Sequence, residues 1–235
     1  MQPIIDYKNL GLIDYKEAWD FQEDFFQRMV NQKLDKFAGD EKDKVRSLLI
    51  FCEHPHVYTL GKSGEQENLL ISDDLLKKIN ATYYRINRGG DITYHGPGQI
   101  VGYPIFDLEL FGLQVKQYIA NLEESIIRTL AIYDIEASRL DGATGVWLDS
   151  EKPGEARKIC AIGVKASRFV TMHGFAFNVN TNLDYFGYIN PCGFVDKGVT
   201  SLEKELGRKM DIDEVRQILK GKLAEVFGYK YGENE

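Results

Sequence analysis

The sequence predicts a mixed α/β fold of the α+β type, in which helices flank a mixed sheet. Apolar residues recur with helical spacing near both ends of the chain, at 15–30 and 211–227. Between these segments lie several short runs rich in β-branched and aromatic residues, separated by turn-forming residues. We therefore expect one domain over 1–235, with a core at about 15–205 followed by the C-terminal helix.

The first half of the chain alternates between the two kinds of element. After the helix at 15–30, "SLLIFC" predicts a buried strand, and Pro55 separates it from a second strand at "VYTL". "ISDDLLKKIN" predicts a short helix capped by Ser72, and "ATYYRI" predicts another strand. Pro104 excludes a helix from "IVGYPIFDL".

The second half opens with "VKQYIANLEESIIRTLAIY", whose apolar residues predict a strong amphipathic helix. Three strands are expected next, at "GVWL", "KICAIGVKA" and "MHGFAFNVN". The charged segment 149–157 falls between the first two and is interpreted as a mobile loop. Asp211, with Glu214 three residues later, predicts the start of the last helix.

Composition and charge exclude several classes of protein. The formal net charge of −7 argues against general nucleic-acid binding, and no apolar run reaches the roughly 18 residues of a membrane span. The first residues resemble neither a secretory signal nor a transit peptide. Three cysteines without paired spacing argue against a disulfide framework, so we expect a reduced, cytoplasmic protein.

One segment departs from the acidic balance of the chain. Five basic residues and one acidic residue, Glu155, fall within 152–168. This pattern fits either a solvated surface or a landing patch for an acidic partner. The basic residues are Lys152, Arg157, Lys158, Lys165 and Arg168.

The stretch "RGGDITYHGPGQ" predicts a binding wall, because its glycines let backbone approach a ligand beside polar side chains. Neither "GPGQIVG" nor "GKS" satisfies a nucleotide-binding motif. "CEHPH" has no second cluster with zinc spacing. We therefore expect no cofactor and no metal.

The three cysteines occupy different settings. Cys52 and Cys160 lie in apolar strands, where a free thiol is usually inert. Cys192 lies between Pro191 and Gly193, in a loop, and is the better candidate for a nucleophile.

A thiol needs a basic or cationic neighbour to act near neutral pH. The candidates are His95, His173 and Lys158. Alternation along a strand puts Lys158 on the same face as Cys160, so spacing alone pairs the lysine with that thiol rather than with Cys192. The residues themselves leave this choice open.

Several of these segments together resemble the lipoyl(octanoyl) transferase family. They are, in order, "EHPHVYTLG", "RGGDITYHGPGQIVGYPIFDL", "KICAIGVKAS", "TMHGFAFNVN" and "INPCG", and the match spans about 15–205. The resemblance implies a fold like the catalytic domains of biotin and lipoate protein ligases.

The resemblance also implies a reaction and its partners. The octanoyl (or lipoyl) group of acyl carrier protein passes to a specific lysine of a lipoyl domain, as the first step of lipoate biosynthesis. Acceptors of this kind belong to the E2 subunits of 2-oxoacid dehydrogenases and to the glycine cleavage H protein. The family needs no cofactor, no nucleic acid and no membrane.

Residue by residue, the resemblance implies that Cys192 carries the acyl group as a thioester. It implies that Lys158 lowers the pKa of this thiol and relays protons. The implied acyl-binding walls comprise Arg88, Gly89, Gly90, Asp91, Ile92, Thr93, Tyr94 and His95, then Ala161, Ile162 and Gly163, then Gly174, Phe175 and Ala176.

Three other functions are compatible with the same residues. An ATP-dependent lipoate ligase of the same fold would use a similar lysine but would need no thiol. A thiol hydrolase would use His95 or His173 as its base. A non-catalytic acyl-binding module would contain Cys192 as a structural residue only.

Overall fold

The computed structural model describes residues 2–34, 45–190 and 197–232, and its elements agree with the α+β prediction. The helices are α1 (Tyr15–Leu34), α2 (Asp73–Lys78), α3 (Val115–Ala131), α4 (Leu202–Leu206) and α5 (Ile212–Phe227). The strands are β1 (Ile4–Leu12), β2 (Leu48–Glu53), β3 (Val57–Leu60), β4 (Thr82–Arg85), β5 (Ile92–His95), β6 (Gln99–Ile105), β7 (Ser138–Leu140), β8 (Ala143–Leu148), β9 (Arg157–Ser167), β10 (Val170–Asn178), β11 (Gly198–Val199) and β12 (Lys230–Tyr231).

The strands form one large mixed sheet and one small sheet. The large sheet has the order β12-β1-β2-β6-β10-β9-β8-β7, and β11 pairs with β9 outside this path. Strand β1 is parallel to both of its neighbours, whereas β6, β10 and β9 pair as antiparallel strands. The small sheet has the order β4-β3-β5.

Helices cover both faces of the large sheet. On one face, α3 and α5 pack against Leu49 and Phe51 of β2. On the other face, α1 packs against Leu48 and Ile50 of the same strand. Alternate residues of β2 therefore enter two different cores, which explains its uninterrupted apolar sequence.

The predicted helix starts are confirmed by their caps. The Ser72 hydroxyl accepts a hydrogen bond from the backbone N–H of Leu75 at the start of α2. The Asp211 carboxylate accepts from the N–H groups of Asp213 and Glu214 at the start of α5. Both helices thus receive partners for backbone donors that a first turn leaves unsatisfied. None of the helices in the described ranges is both long and apolar enough to cross a bilayer.

Pro104 lies inside strand β6, opposite Leu49 of β2, and the exclusion of a helix here is confirmed. A proline is tolerated in this central strand because β10 pairs with β6 only as far as Gly102. Strands β1 and β5, by contrast, were absent from the prediction. Strand β1 has a register irregularity between Asn9 and Leu12, so it lacks the regular alternation that marks a strand.

Candidate active site

A cavity of about 760 Å³ lies where the large sheet faces the small one. Its floor comes from β6, β9 and β10, one wall comes from the segment 88–95, and residues 183–190 lie opposite. The volume is within the usual range for small-molecule sites. Twelve of the fourteen predicted wall residues line it, together with Lys158: Arg88, Gly90, Asp91, Ile92, Thr93, His95, Ala161, Ile162, Gly163, Gly174, Phe175 and Ala176.

Gly89 and Tyr94 do not line the cavity, which corrects their placement in the predicted wall. The N–H of Gly89 donates to the carbonyl of Val164 at 2.9 Å, so this residue attaches the 88–95 segment to β9. The Tyr94 side chain points the other way, into an aromatic cluster, where its hydroxyl lies 2.7 Å from Nδ1 of His56. Strand β5 alternates, so Tyr94 faces away from the cavity while its neighbours face it.

Small residues on the floor permit the close approach of the glycine-rich wall. A Cβ on Gly163 would lie 2.9 Å from the carbonyl oxygen of Gly89 and 3.1 Å from Cδ of Arg88. Any side chain at this position would therefore displace the wall from the sheet. This is the backbone proximity that the glycine-rich sequence predicts.

The inner wall of the cavity carries a chain of buried polar groups. Nδ1 of His95 lies 2.8 Å from Oε1 of Gln99, and Nε2 of Gln99 donates to Oδ1 of Asn178 at 2.9 Å. Asn178 in turn donates to the carbonyl of Thr200. The ring of Tyr15, at the start of α1, stacks on His95 with a centroid separation of 5.8 Å. These hydrogen bonds fix the orientation of His95.

Burial keeps the two histidines of the cavity neutral. It lowers the pKa of His95 to about 3, with a further contribution from His54. Burial likewise lowers the pKa of His173 to about 3, assisted by the positive charge of Arg88. Groups with such pKa values are weak bases near neutral pH. This electrostatic setting disfavours the hydrolase alternative.

Lys158 reaches the cavity because of a β-bulge. Val146 of β8 pairs with Cys160, but the next residue, Trp147, pairs with Lys158, so Ile159 is an extra residue on β9. Ile159 and Cys160 are both fully buried in the core against α3 and α5, whereas Lys158 lines the cavity. The expectation that Lys158 and Cys160 share a face is therefore wrong, because the bulge breaks the alternation.

Strand β8 lies beside the side chain of Lys158. The Nζ atom of Lys158 lies 4.6 Å from the ring centroid of Trp147. Gly145 has a φ of +124°, and a Cβ there would lie 3.4 Å from Cε of Lys158. The N–H of Gly145 donates to the buried carboxylate of Glu123 on α3 at 3.0 Å. The sequence analysis missed this group, because strand register alone brings Trp147 against Lys158.

Cys192 lies outside the described residues. The described residues on either side of it, Asn190 and Lys197, both line the cavity. Cys52 and Cys160 are fully buried, and burial raises the pKa of both thiols. These two thiols have the inert character that their apolar strands predict.

The side chains of "CEHPH" do not converge on one point. His54 lies 2.7 Å from the hydroxyl of Tyr103, whereas His56 stacks on Tyr185 with the ring centroids 4.1 Å apart. Within the described ranges, no group of three His, Cys, Asp or Glu side chains has a geometry that could hold a metal ion.

Of the two interpretations of 152–168, the ion pairs favour a solvated surface over a landing patch for an acidic partner. Arg157 pairs in a bidentate manner with Glu205 at 2.8 Å and also pairs with Asp149. Lys152 pairs with Asp149, and Lys165 pairs with Glu23. Three of the five, Arg157, Lys158 and Lys165, also lie along a single 11-residue strand, which spreads them over about 26 Å. Their charges are thus separated and largely neutralised by acidic partners.

The loop between β8 and β9 is confirmed at its predicted position. Two ion pairs of Asp149, with Lys152 and with Arg157, connect the start of the loop to its middle and its end.

Comparison with known proteins identifies the family of this chain. The family model of the lipoyl protein ligase A/B catalytic domain matches residues 14–224. An octanoyltransferase of Parabacteroides distasonis is 56% identical over 221 residues, which cover 94% of this chain and 97% of that protein. An octanoyltransferase of Christiangramia forsetii is 54% identical, over 97% of each chain.

Solved structures show the same fold at low sequence identity. A crystal structure of lipoate-protein ligase A bound with ATP aligns with a TM-score of 0.72 at 16% identity, covering 100% of this chain and 89% of that chain. A bipartite lipoate protein ligase from Thermoplasma acidophilum aligns with a TM-score of 0.70, also at 16% identity, over 99% of this chain and 87% of its own. With the family match and the close relatives, the chain belongs to the lipoyl protein ligase A/B catalytic domain family and, within it, to the octanoyltransferases.

Proposed function

We propose that this chain transfers an octanoyl group from acyl carrier protein to a lysine of a lipoyl domain, through a thioester on Cys192. The reaction belongs to lipoate biosynthesis, and the enzyme is an acyltransferase. The observation that carries the proposal is the position of Lys158, which lines the same cavity as the three motif segments. Asn190 and Lys197, on the two sides of the segment with Cys192, line the same cavity.

The chemistry of the cavity suits an acyl chain attached to a thioester. Ile92, Ile162 and Phe175 offer apolar surface for the hydrocarbon, since burying apolar area stabilises binding by about 25 cal/mol per Å². Polar groups such as Arg88 and Asn178 occupy separate positions along the wall and orient the ligand. An octanoyl thioester has the same two parts, because its apolar chain ends in a polar, reactive carbonyl.

In the first half-reaction, the Cys192 thiol gives its proton to the neutral amine of Lys158, and the thiolate attacks the carbonyl carbon of the donor thioester. A new C–S bond forms and the bond to the carrier sulfur breaks. The Lys158 ammonium then protonates the departing thiolate of the carrier. Transfer through a covalent acyl-enzyme is nucleophilic catalysis. In this half-reaction one thioester replaces another of similar energy.

In the second half-reaction, the amine of the acceptor lysine attacks the acyl-enzyme. A C–N bond forms, and the bond to the Cys192 sulfur breaks. Lys158 removes the proton that the amine nitrogen loses and returns it to the sulfur. One residue thus serves as acid and base in both steps. His95 and His173 remain neutral and hydrogen-bond within the wall, so Lys158 is the better candidate for this role.

The test is transfer to a purified lipoyl domain, followed by the mass of the acceptor. Octanoyl carrier protein should serve as donor without ATP, because its thioester is already activated. Free octanoate should give no product, with or without ATP. Product formation only from free octanoate with ATP would support the ligase alternative instead. Cys192 lies outside the described residues, so its role is proposed from the sequence. Cys192→Ala is therefore the variant to compare with the native chain.

A further inference from the structure

We propose that Trp147 is a positioning residue that holds the ammonium form of Lys158 at the cavity. The inference rests on the proposed role of Lys158 in proton transfer and adds a residue on which that role depends. It begins from the short contact of Nζ with the indole face, 4.6 Å from the ring centroid. A cation at this distance from an aromatic face is stabilised by the electrons of the ring, most strongly for tryptophan.

The indole is itself fixed in place. Only 2% of Trp147 is exposed, and it packs with Ala143, Ala156 and Leu140. Its Nε1–H donates to the carbonyl of Ala143 at 2.9 Å. Buried rings with a satisfied N–H have few alternative orientations. The ring therefore presents one face to the lysine permanently.

The main chain of Lys158 is held on both sides. Trp147 pairs with it across the bulge, and the N–H of Thr200 donates to its carbonyl at 3.0 Å. The stem passes beside Gly145, where a Cβ would lie 3.4 Å from Cε and would clash with the carbonyl oxygen of Cys160 at 2.5 Å. Glu123 fixes Gly145 through its N–H, and Arg139 neutralises Glu123 at 3.1 Å. The stem therefore has a defined path toward the indole.

Several of the charged groups that the structure describes around β9 have partners of their own. On β9 itself, Cys160 is buried with a raised pKa and Arg157 is paired with Asp149 and Glu205. Lys165, also on β9, is paired with Glu23. The elements packed against β9 carry Glu123 and Glu124 on α3, both paired with Arg139, as well as Lys197 before β11 and the neutral His173 on β10. Strand β8 contributes only uncharged side chains. The acids named here are thus paired with other basic side chains, whereas the ring of Trp147 contacts Nζ of Lys158 directly.

This arrangement has a consequence for catalysis. Lys158 gains and loses a proton in each half-reaction, and the ring stabilises the protonated state selectively. We expect activity to fall at high pH, when the pair formed by Lys158 and the Cys192 thiol loses its shared proton, because no ammonium is then left to protonate the carrier thiolate. Removal of the ring should therefore move this loss of activity to lower pH. The shift should come from the lost attraction between the ring electrons and the ammonium, and not from lost packing.

The test is the pH dependence of single-turnover acylation by octanoyl carrier protein. Trp147→Leu should shift the alkaline limb to lower pH by about one unit, and Trp147→Phe by less, because phenylalanine retains a weaker cation–π contact. The chain has two tryptophans, Trp19 and Trp147. In a Trp19→Phe background, a fluorinated tryptophan is therefore incorporated only at position 147. Fluorinated tryptophans keep the shape of the ring and withdraw its electron density, and each added fluorine should shift the limb further.

Two results would overturn the inference. If the fluorinated proteins retain the native alkaline limb while Lys158→Ala abolishes transfer, the ring only fills space and this inference alone fails. If Lys158→Ala keeps the native rate and pH profile, the proposed role of Lys158 fails first and Trp147 has nothing to position. Because fluorination preserves the fold, the first result can be obtained even if Trp147→Leu does not fold.

Discussion

Lys158 and Cys160 lie two positions apart on one strand but have different surroundings: the lysine lines the cavity and the cysteine is fully buried in the core. The extra residue Ile159 in the β-bulge separates them. A bulge shifts the side-chain alternation by one position. The nearest thiol in the sequence is therefore buried away from the cavity, which is consistent with the proposal that Cys192 is the nucleophile.

This separation predicts the reactivity of the three thiols. Iodoacetamide at neutral pH should label Cys192 much faster than Cys52 or Cys160, because burial raises the pKa of the two buried thiols. Peptide mapping of the labelled native protein identifies the sites. Rapid labelling of Cys160 in folded protein would contradict the assignment. Denatured protein, in which all three thiols should react, is the control.

Lys158→Arg separates charge from proton transfer. A guanidinium keeps the positive charge but hardly releases a proton, so transfer should fall at least tenfold, as it should in Lys158→Ala. The pH midpoint of Cys192 labelling should rise in Lys158→Ala and stay near the native value in Lys158→Arg. Full transfer activity of Lys158→Arg would rule out the proton relay and leave only a charge effect.

The ion pairs of 149–157 predict a role in stability rather than in docking. Arg157→Ala should lower the free energy of unfolding by about 1 kcal/mol, because it removes a bidentate pair with Glu205 and a pair with Asp149. Lys152→Glu is the matched change at an exposed site, and it should alter the KM for carrier protein less than twofold. Urea unfolding and steady-state kinetics measure the two effects. A large rise in KM for Lys152→Glu would restore the landing patch.

The predictability of the fold and the site differed for a physical reason. The long helices could be predicted from the spacing of apolar residues, because this spacing is a local property of the sequence. Helix α3, for example, buries Leu122, Ile126 and Leu130 on one face. The glycine-rich wall was predictable because glycine marks close backbone approach. The partner of Lys158 was not, since the bulge at Ile159 and the pairing of β8 decide that Trp147 meets it. Strand register is a long-range property that local patterns do not encode.

The buried histidines predict acid sensitivity of the fold. Burial holds the pKa of His54 at about 4, and that of His95 and His173 at about 3, below the value of roughly 6.5 in an unfolded chain. Between these values the unfolded state binds more protons, so stability is fully present above about pH 6.5 and is lost as pH falls. Each histidine contributes up to about 1.4 kcal/mol per pH unit.

His54→Gln should therefore reduce the dependence of unfolding free energy on pH by about 1 kcal/mol per unit between pH 6 and 5. His56, which is less deeply buried, is the matched control, and His56→Gln should have a smaller effect. Denaturant unfolding at several pH values provides the slopes. Equal slopes in the native protein and in His54→Gln would mean that His54 does not remain neutral in the fold.

The most direct test of the account is the intact mass of the enzyme after brief mixing with octanoyl carrier protein, without ATP and without acceptor. The native protein should gain one octanoyl group that hydroxylamine removes, as expected for a thioester, and addition of a lipoyl domain should transfer that group to the acceptor. Cys160→Ser and Cys52→Ser should still form the adduct, whereas Cys192→Ala should not. An octanoyl adduct of unchanged yield on Cys192→Ala, or transfer by that variant at the native rate, would contradict the central claim.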